Sequence, residues 1–545
     1  MLSLGSKLNE LNPQFLREIK GRLTTRNLWL AGSISLLGQL MLFLYFQTRL
    51  PPSTVKLPHN NTYCTGKIAY GDYGYNTPEC IMDNYGNIII NWQLWSQDIF
   101  HALSWLGIFA IIVVGTYLLI NDLATEQRRD TLNFIRLSPQ TPQNILVGKM
   151  LGVPILLYVT ILMSFPFHLW AGLNAKLPLN QVLVFDVIVL VASVFYYSGA
   201  LLFGFIASWL GGFQSWLGGG FILGFLLFTE QALKHTTVVN TPLVLFRLIT
   251  PTYFIPDVSG NQAFTGFHWF SLPLGNQLFT ISSLSLLLYC IGIYFIWQSL
   301  QRCYLDANAT MSSKRQSYLL TTSFVIITLG CGNWHDASLK DYLVSSMFVY
   351  LWLFLYLIAA LTQNRQTLIN WARYHHIYSM QHPRKQKFVK ELIWGEKSPG
   401  VLAIAINALI VFTGLTVVLL LQFVSVSDML SGFGALIFAL SLMVIYAALA
   451  QLLLFMKNGQ RLLWANGMVT AVIILPPILL SMLFSSPQHL TFVWFLSIFA
   501  PILFLYPPTN DSLSLMTPLL AMLAHAGTLG LLLLQIKRQL QKAGD

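Results

Sequence analysis

Long apolar runs dominate this chain and limit what it can fold into. Hydrophobic residues make up 55% of the sequence and charged residues only 9%, whereas soluble domains carry about 25% charged residues. A helix that crosses a bilayer needs about 20 predominantly apolar residues. We therefore predict an all-α polytopic membrane protein, with candidate spans at 27–48, 97–121, 149–173, 181–210, 211–230, 276–300, 317–334, 341–363, 400–423, 431–456, 462–484 and 512–535.

One further apolar segment, 492–508, leaves the number of spans open. If it crosses the membrane, the chain has 13 spans and its C-terminus lies outside; if it is re-entrant, the chain has 12. With 12 spans the basic residues Lys537, Arg538 and Lys542 stay inside, so the positive-inside rule favours 12. Segment 243–256 is also apolar and broken by prolines, which predicts a second short outer element that does not span.

The positive charge follows the pattern of a membrane protein and not that of a nucleic-acid-binding protein. The formal net charge is +11, and Lys and Arg lie in short segments between apolar runs, as the positive-inside rule describes. Segments 122–148, 301–316 and 364–399 are polar and basic, and they fall on one side together with the N-terminus. We predict that this side is the cytoplasm, which places the long polar loop 49–96 outside.

This pattern predicts three parts in the chain. Residues 1–26 form a cytoplasmic amphipathic helix in the membrane interface, in which Asn12 can cap the helix and Pro13 suits its first position. Residues 27–300 form one half with six spans. Residues 301–545 form a second, more divergent half with six spans.

Two of the five cysteines share the loop that is predicted to lie outside. Disulfides persist in oxidising compartments outside the cytoplasm, so Cys64 and Cys80 are candidates for a disulfide. Two free thiols are the alternative.

A short charged segment between the second and third candidate spans carries the most specific pattern. It reads Glu126-Gln-Arg-Arg-Asp-Thr-Leu-Asn-Phe-Ile-Arg-Leu-Ser-Pro139 and is followed by Ile145-Leu-Val-Gly-Lys149. The arrangement of a Glu, then Thr-Leu, then Ser-Pro, and finally Ile-x-x-Gly-Lys resembles the coupling-helix region of ABC-2 type transporter permeases. In that family this element docks on a separate ATPase, an amphipathic helix often opens the chain, and short outer helices lie between the fifth and sixth spans.

The resemblance implies a function and its partners. The chain would be the membrane permease subunit of an ATP-driven exporter in a bacterial inner (plasma) membrane, and its substrate stays open. It would work with a separate ABC ATPase subunit and with membrane lipids, either as a homodimer or as a pseudo-dimer within one chain. The implied ATPase-coupling residues are Glu126, Arg128, Thr131, Leu132, Ser138, Pro139, Gly148 and Lys149.

The same resemblance implies a transport subunit without catalytic residues, a metal or a directly bound cofactor. ATP would act through the partner ATPase. The sequence contains no G-x-x-x-x-G-K-[S/T] motif for binding phosphates, so a nucleotide-binding domain is expected in another chain.

The residues of the coupling segment predict a short helix. Asp122 or Thr125 can cap its start, and Pro139 ends it because the residue before a proline is pushed out of helical geometry. Its apolar side would consist of Leu132, Ile135 and Leu137.

The charges of this segment are predicted to be mostly solvated or directed at a partner. Glu126 and Arg128 are the main candidates, and Lys149 would lie where the next span enters the headgroups. Asp130 departs from the family pattern, where a small residue, often Gly, precedes Thr-Leu.

A second docking segment is expected if the chain is a fused pair. Segment 363–370 follows the eighth candidate span, and its Thr367-Leu368 is similar to Thr131-Leu132. The alternative is a basic segment held against anionic lipid.

Two other classes of protein remain as alternatives. An ion- or proton-coupled secondary transporter would use ionisable residues within the membrane, for which Asp186 and Glu230 are candidates. His168 and His525 also lie in apolar runs, where they are expected to be hydrogen-bonded core residues. A membrane-embedded enzyme would need clustered His, Asp or Glu, and the sequence shows no such motif.

Overall fold

The computed structural model describes residues 12–52, 60–70, 76–234, 236–258, 262–306, 309–332, 339–381, 385–422, 425–456, 461–483, 491–506 and 516–544. Residues 1–11 of the predicted N-terminal part lie outside the described residues. Within them the chain is mainly helical, with one short pair of strands.

Among the described residues, twelve helices lie before residue 331. They are α1 (Pro13–Arg22), α2 (Thr25–Thr48), α3 (Trp92–Ile108), α4 (Gly115–Arg128), α5 (Thr131–Arg136), α6 (Pro142–Gly152), α7 (Ile155–Asn174), α8 (Leu179–Ile206), α9 (Gln214–Ala232), α10 (Val244–Leu248), α11 (Leu278–Leu305) and α12 (Lys314–Gly330).

Nine further helices follow. They are α13 (Leu339–Leu361), α14 (Arg365–Gln381), α15 (Lys385–Trp394), α16 (Val401–Leu421), α17 (Val426–Leu453), α18 (Arg461–Leu483), α19 (Thr491–Trp494), α20 (Ala500–Leu505) and α21 (Met516–Gly544).

The chain is an all-α polytopic membrane protein, because many of these helices are long and apolar enough to cross a bilayer. Among the described residues, ten stretches meet that requirement by length and composition. The stretch Leu179–Ala232 has 54 residues and contains both α8 and α9, with a break at Gly211, whose φ is 59°. That positive φ favours glycine.

Segment 492–508, which left the number of spans open, does not form one long helix in its described part. It contains only α19 and α20, of four and six residues. Helices of this length rise by less than about 10 Å, and the hydrocarbon core is about 30 Å thick.

The described helices fall into two compact units. The first contains the described residues of Met1–Thr236, Phe246–Thr265 and Gly275–Trp297, and the second those of Thr237–Leu245, Gly266–Leu274 and Gln298–Asp545.

In the first unit, α3 and α4 belong to one 37-residue helical stretch. A π-helical segment at Phe109–Val114 joins them. Tyr197 of α8 donates a hydrogen bond of 2.6 Å to the carbonyl of Ile111 within that segment. Gly115 follows directly, and a Cβ at this position would come within 2.1 Å of the Tyr197 hydroxyl. The close approach of α8 therefore requires glycine here.

The polar loop after α2 contains strands β1 (Ile68–Tyr70) and β2 (Asn76–Pro78), which pair antiparallel. Cys64 and Cys80 are joined by a disulfide beside this hairpin.

The segment 243–256 is broken, as its prolines indicated. It consists of α10 and a 3-10 turn at Pro251–Phe254. Backbone groups that leave helical geometry in a membrane protein need other partners. Tyr196 and Ser285 provide two of these, by donating to the carbonyls of Ile249 and Leu248 at 2.8 and 2.6 Å.

Neighbouring residues fix the broken segment at other points. Arg247, which is 1% exposed, donates to the carbonyls of Leu233 and Ala263. From α3, Gln97 donates to the Asp257 carboxylate at 2.8 Å, and a ring nitrogen of His101 lies 3.0 Å from a segment carbonyl.

The second unit has a large apolar core in which α13, α16, α17, α20 and α21 all take part. The short helix α20 packs against α17 by aromatic contact, with the rings of Phe438 and Phe504 5.8 Å apart. Gly434 permits this packing, because a Cβ there would overlap the Phe504 ring at 2.1 Å.

Candidate functional site

Three helices of the first unit converge on a cluster of buried and half-buried charges. Helix α1 contributes Glu18 and Arg22, α4 contributes Asp122 and Glu126, and α6 contributes Lys149. We call these five residues the charge cluster. In a chain with only 9% charged residues, their convergence is the most distinctive polar feature of the unit.

Lys149 lies at the centre of the charge cluster. It is 1% exposed, and its Nζ lies 2.8 Å from Asp122 Oδ2, 2.7 Å from Glu126 Oε1 and 4.0 Å from Glu18 Oε1. Burial acts to lower the pKa of this amine, but the carboxylates of Asp122 and Glu126 outweigh burial and raise the pKa above its ordinary value. Lys149 therefore stays protonated at physiological pH.

Arg22 connects the cluster to the N-terminal helix. Its Nη2 donates to Asp122 Oδ1 at 2.5 Å and its Nε donates to Glu18 Oε2 at 3.1 Å. Gln14, one turn earlier, donates to Glu18 Oε1 at 3.0 Å. The buried face of α1 is therefore polar, while the apolar residues that predicted an amphipathic helix, Phe15, Leu16, Ile19 and Leu23, are half-buried.

Small residues allow α1 to lie directly against α6. A Cβ at Gly152 would come within 2.4 Å of the Glu18 Cβ, and one at Gly148 within 2.8 Å of the Phe15 backbone nitrogen. Asn12 caps α1 by accepting from the Phe15 N–H, and its amide donates to the Asn144 carbonyl of α6 at 2.8 Å. Gly148 of the Gly-Lys motif thus provides room for helix packing.

Two predictions about the coupling segment are wrong. Glu126 is not solvated or directed at a partner but 9% exposed and paired with Lys149. Asp122 and Thr125 do not cap a new helix, because α4 continues through them to Arg128. Asp122 instead binds Arg22 and Lys149, and Thr125 donates back to the Asn121 carbonyl.

The new helix begins at Thr131, after a sharp turn. Asp130 has a φ of 55° and lies in the left-handed region, where Gly is the residue with least strain and Asp is one of the few others tolerated. Asp130 stands where ABC-2 permeases often have Gly, and it is the one position of this turn with a left-handed backbone. Thr131 closes the turn by donating to the Glu126 carbonyl at 3.3 Å.

Helix α5 has an inner and an outer face. Leu132 and Ile135 are buried, whereas Phe134 is 79% and Leu137 is 85% exposed. Leu137 was expected on the same apolar side as Leu132 and Ile135, and this is wrong because it follows the last helical residue, Arg136, and turns outward. Of the other predicted coupling residues, Arg128, Thr131 and Pro139 are exposed and Ser138 is half-buried.

The second candidate docking segment has a different environment. Leu368 is fully buried, Thr367 half-buried and Gln363 2% exposed. Nearby, Lys314 of α12 is 3% exposed and donates to the Leu392 carbonyl at 2.6 Å, the Ser398 hydroxyl at 2.7 Å and the Pro399 carbonyl at 3.3 Å.

The remaining ionisable candidates do not contact one another among the described residues. His168 contacts the Ser104 hydroxyl at 3.0 Å and stacks on Phe100, and His525 contacts the Ser441 hydroxyl at 2.7 Å. Glu230 accepts from Thr252 at 3.2 Å. One carboxylate oxygen of Asp186, Oδ2, is buried and accepts no hydrogen bond from the described residues.

Carboxylate oxygens of Glu18, Asp122 and Glu126 lie within 4.8 Å of one another, a spacing that would suit a metal ion. The Lys149 ammonium is already within 2.8 Å of two of them. It supplies the positive charge that a cation would otherwise bring.

Sequence reasoning identified Glu126, Gly148 and Lys149 but did not connect them with Glu18 and Arg22. The signal was the repeated spacing of four residues, since Gln14, Glu18 and Arg22 share one face of α1. Asp122 and Glu126 share one face of α4 for the same reason.

The fold defines the class of this protein as a helical integral membrane protein. Comparisons with protein-family models, with curated proteins and with solved structures found no match.

Proposed function

We propose that this chain is the membrane permease subunit of an ABC-2 type exporter and that a separate ATPase drives it. The observation that carries the proposal is the outer face of α5, where Phe134 and Leu137 are 79% and 85% exposed. Contiguous apolar surface outside a membrane favours a protein partner. Arg128 and Arg129 are exposed directly beside it and would complement an acidic surface on that partner.

The charge cluster supports the proposal because it makes α5 part of a rigid assembly. Helix α4 ends at Arg128, α5 begins at Thr131, and α4 is bonded through Lys149 to α6 and through Arg22 to α1. A push on α5 by an ATPase that binds ATP would therefore move three helices together. ATP acts only through the partner subunit in this proposal.

The proposed topology has twelve spans with the N-terminus in the cytoplasm. The ten apolar stretches give eleven spans when Leu179–Ala232 is divided at Gly211, and α12 adds one more, because its 17 residues reach the lower limit for crossing a bilayer. This arrangement places α5 and the basic segment 364–399 on the cytoplasmic side, in agreement with the positive-inside rule. The membrane would be a bacterial inner membrane.

The test is co-purification of the tagged protein with its partner in mild detergent, followed by an ATPase assay. We expect a soluble ATPase to be recovered with the wild type. The double change Phe134→Ser and Leu137→Ser should lower its recovery at least about tenfold, because exposed apolar anchors carry most of the energy of such interfaces.

The matched control is Tyr85→Ser, which also removes an exposed ring, since Tyr85 is 90% exposed in the loop between α2 and α3. This variant should retain the partner. Equal recovery of the ATPase with both variants would contradict the docking site, and purification of the wild type without any ATPase would contradict the exporter.

A secondary transporter is the second candidate function, and Asp186 favours it. An ionisable side chain within a candidate span, with a buried oxygen that no described residue bonds, is a functional candidate by default. A transport activity that needs an ion gradient, persists without an ATPase and disappears in Asp186→Asn would support this alternative.

A further inference from the structure

The second unit contains a polar cavity at a place where apolar helices end. The cavity has a volume of about 350 Å³, near the lower limit for small-molecule pockets, which is about 300 Å³. Its walls come from the end of α11, the first turn of α14 with the residues before it, and the residues after α15. Since α11 and α13 both cross the apolar region and both end here, the cavity lies at the level of lipid headgroups.

Two of the charges that line the cavity already neutralise each other. Arg302 donates through both terminal nitrogens to the two carboxylate oxygens of Glu396, each at 3.1 Å. Its Nε donates to the Thr310 carbonyl at 3.3 Å. This ion pair leaves no net charge on its wall of the cavity.

Two other lining residues keep unused hydrogen-bonding capacity among the described residues. The Lys397 ammonium is exposed and has no ion pair or hydrogen bond there. Gln363 is 2% exposed and donates to the carbonyls of Ser398 and Glu396, but its Oε1 accepts no hydrogen bond. A buried acceptor without a donor costs free energy, so a ligand that supplies the donor is favoured.

A complementary ligand must therefore combine two chemical groups. It needs an anionic oxygen for Lys397 and an N–H donor for Gln363 Oε1. A cationic donor is preferred, because the Glu396 carboxylate lies in the same wall. Thr367 and Asn370, also in the lining, can donate further hydrogen bonds to phosphate oxygens.

We propose that this cavity binds a phosphoethanolamine group, with the phosphate at Lys397 and the ammonium at Gln363 and Glu396. The group would belong to phosphatidylethanolamine, since the cavity lies at headgroup level, although soluble phosphoethanolamine has the same chemistry. The proposal does not depend on the exporter function.

The test is native mass spectrometry of the delipidated full chain with three lipids that have identical acyl chains. Phosphatidylethanolamine offers both groups, phosphatidylcholine has the same charges but no N–H donor, and phosphatidylglycerol lacks the ammonium. We expect the wild type to bind phosphatidylethanolamine about tenfold more tightly than the other two, since one charge-assisted hydrogen bond contributes at least that factor.

Lys397→Ala should weaken the binding of phosphatidylethanolamine, because it removes the cation that binds the phosphate, and Lys390→Ala is the matched control. Both lysines are exposed in the same basic segment, but Lys390 does not line the cavity. Competition by soluble phosphoethanolamine would identify a soluble ligand of the same chemistry, and its failure to compete would identify the lipid.

Two results would overturn the proposal. One is equal binding of the three lipids by the wild type and both variants, which would indicate ordinary lipid contact. The other is unchanged binding of phosphatidylethanolamine in Lys397→Ala, which would show that the phosphate does not bind at this lysine.

Discussion

Among the described residues, each unit buries one lysine, and the two lysines are stabilised in different ways. Lys149 is 1% exposed and lies among carboxylates, whereas Lys314 is 3% exposed and binds two carbonyls and a hydroxyl. An ammonium among carboxylates is held by charge, and its removal leaves buried anions. An ammonium among carbonyls is held by dipoles, and its removal leaves only unused acceptors.

The difference has a functional meaning for the two segments concerned. The first unit ties α1, α4 and α6 together by ion pairs whose strength depends on every member. The second unit uses Lys314 to hold the end of α15 and the turn before α16, which needs no ion pair. Burial alone therefore does not identify a lysine as part of a site; the partners of the lysine do.

Lys149→Met should have the largest effect of the changes considered. Breaking a buried ion pair by removing one partner costs about 3–5 kcal/mol, because uncompensated charge remains. Here the uncompensated charges would be the carboxylates of Asp122 and Glu126. We expect a large fall in apparent Tm and in the yield of monodisperse protein in detergent. Lys390→Met, at an exposed lysine, should leave both unchanged. A small effect of Lys149→Met would mean that the carboxylates take up protons or that water enters the cluster.

Lys314→Met should have a smaller effect, about 1–3 kcal/mol at pH 7, because it leaves neutral acceptors without a donor. The same thermal measurement on the two variants, side by side, tests the comparison directly. If Lys314→Met lowers the apparent Tm as much as Lys149→Met does, the distinction between charge and dipole fails.

The sequence predicted the helical membrane class from composition and the positions of the long helices from their apolar runs. Both depend on local features, and so does the Asn12 cap of α1. The charge cluster could not be derived in the same way, because Glu18, Asp122 and Lys149 are far apart in the chain and meet only when α1 packs on α6. Lys314 was not identified because its partners are mostly backbone carbonyls, which leave no pattern in a sequence.

Helix α4 was predicted to end earlier than it does for a related reason. The polar residues after position 121 suggested a helix start, because Asp and Thr favour caps when solvent surrounds them. In the folded protein Asp122 has tertiary partners, which remove its advantage as a cap. The tertiary contacts of Asp122, which the local sequence does not show, outweigh its local preference for a helix cap.

The π-helical segment Phe109–Val114 gives the 37-residue stretch one residue more than an unbroken α-helix would have over the same length. Each residue of an α-helix turns the chain by about 100°. The one inserted residue therefore sets the direction, around the helix axis, in which Asp122 and Glu126 point relative to Gln97 and His101 at the opposite end. A single-residue deletion there would leave each end intact but turn one through about a quarter of a circle, so the two ends could no longer engage their partners together.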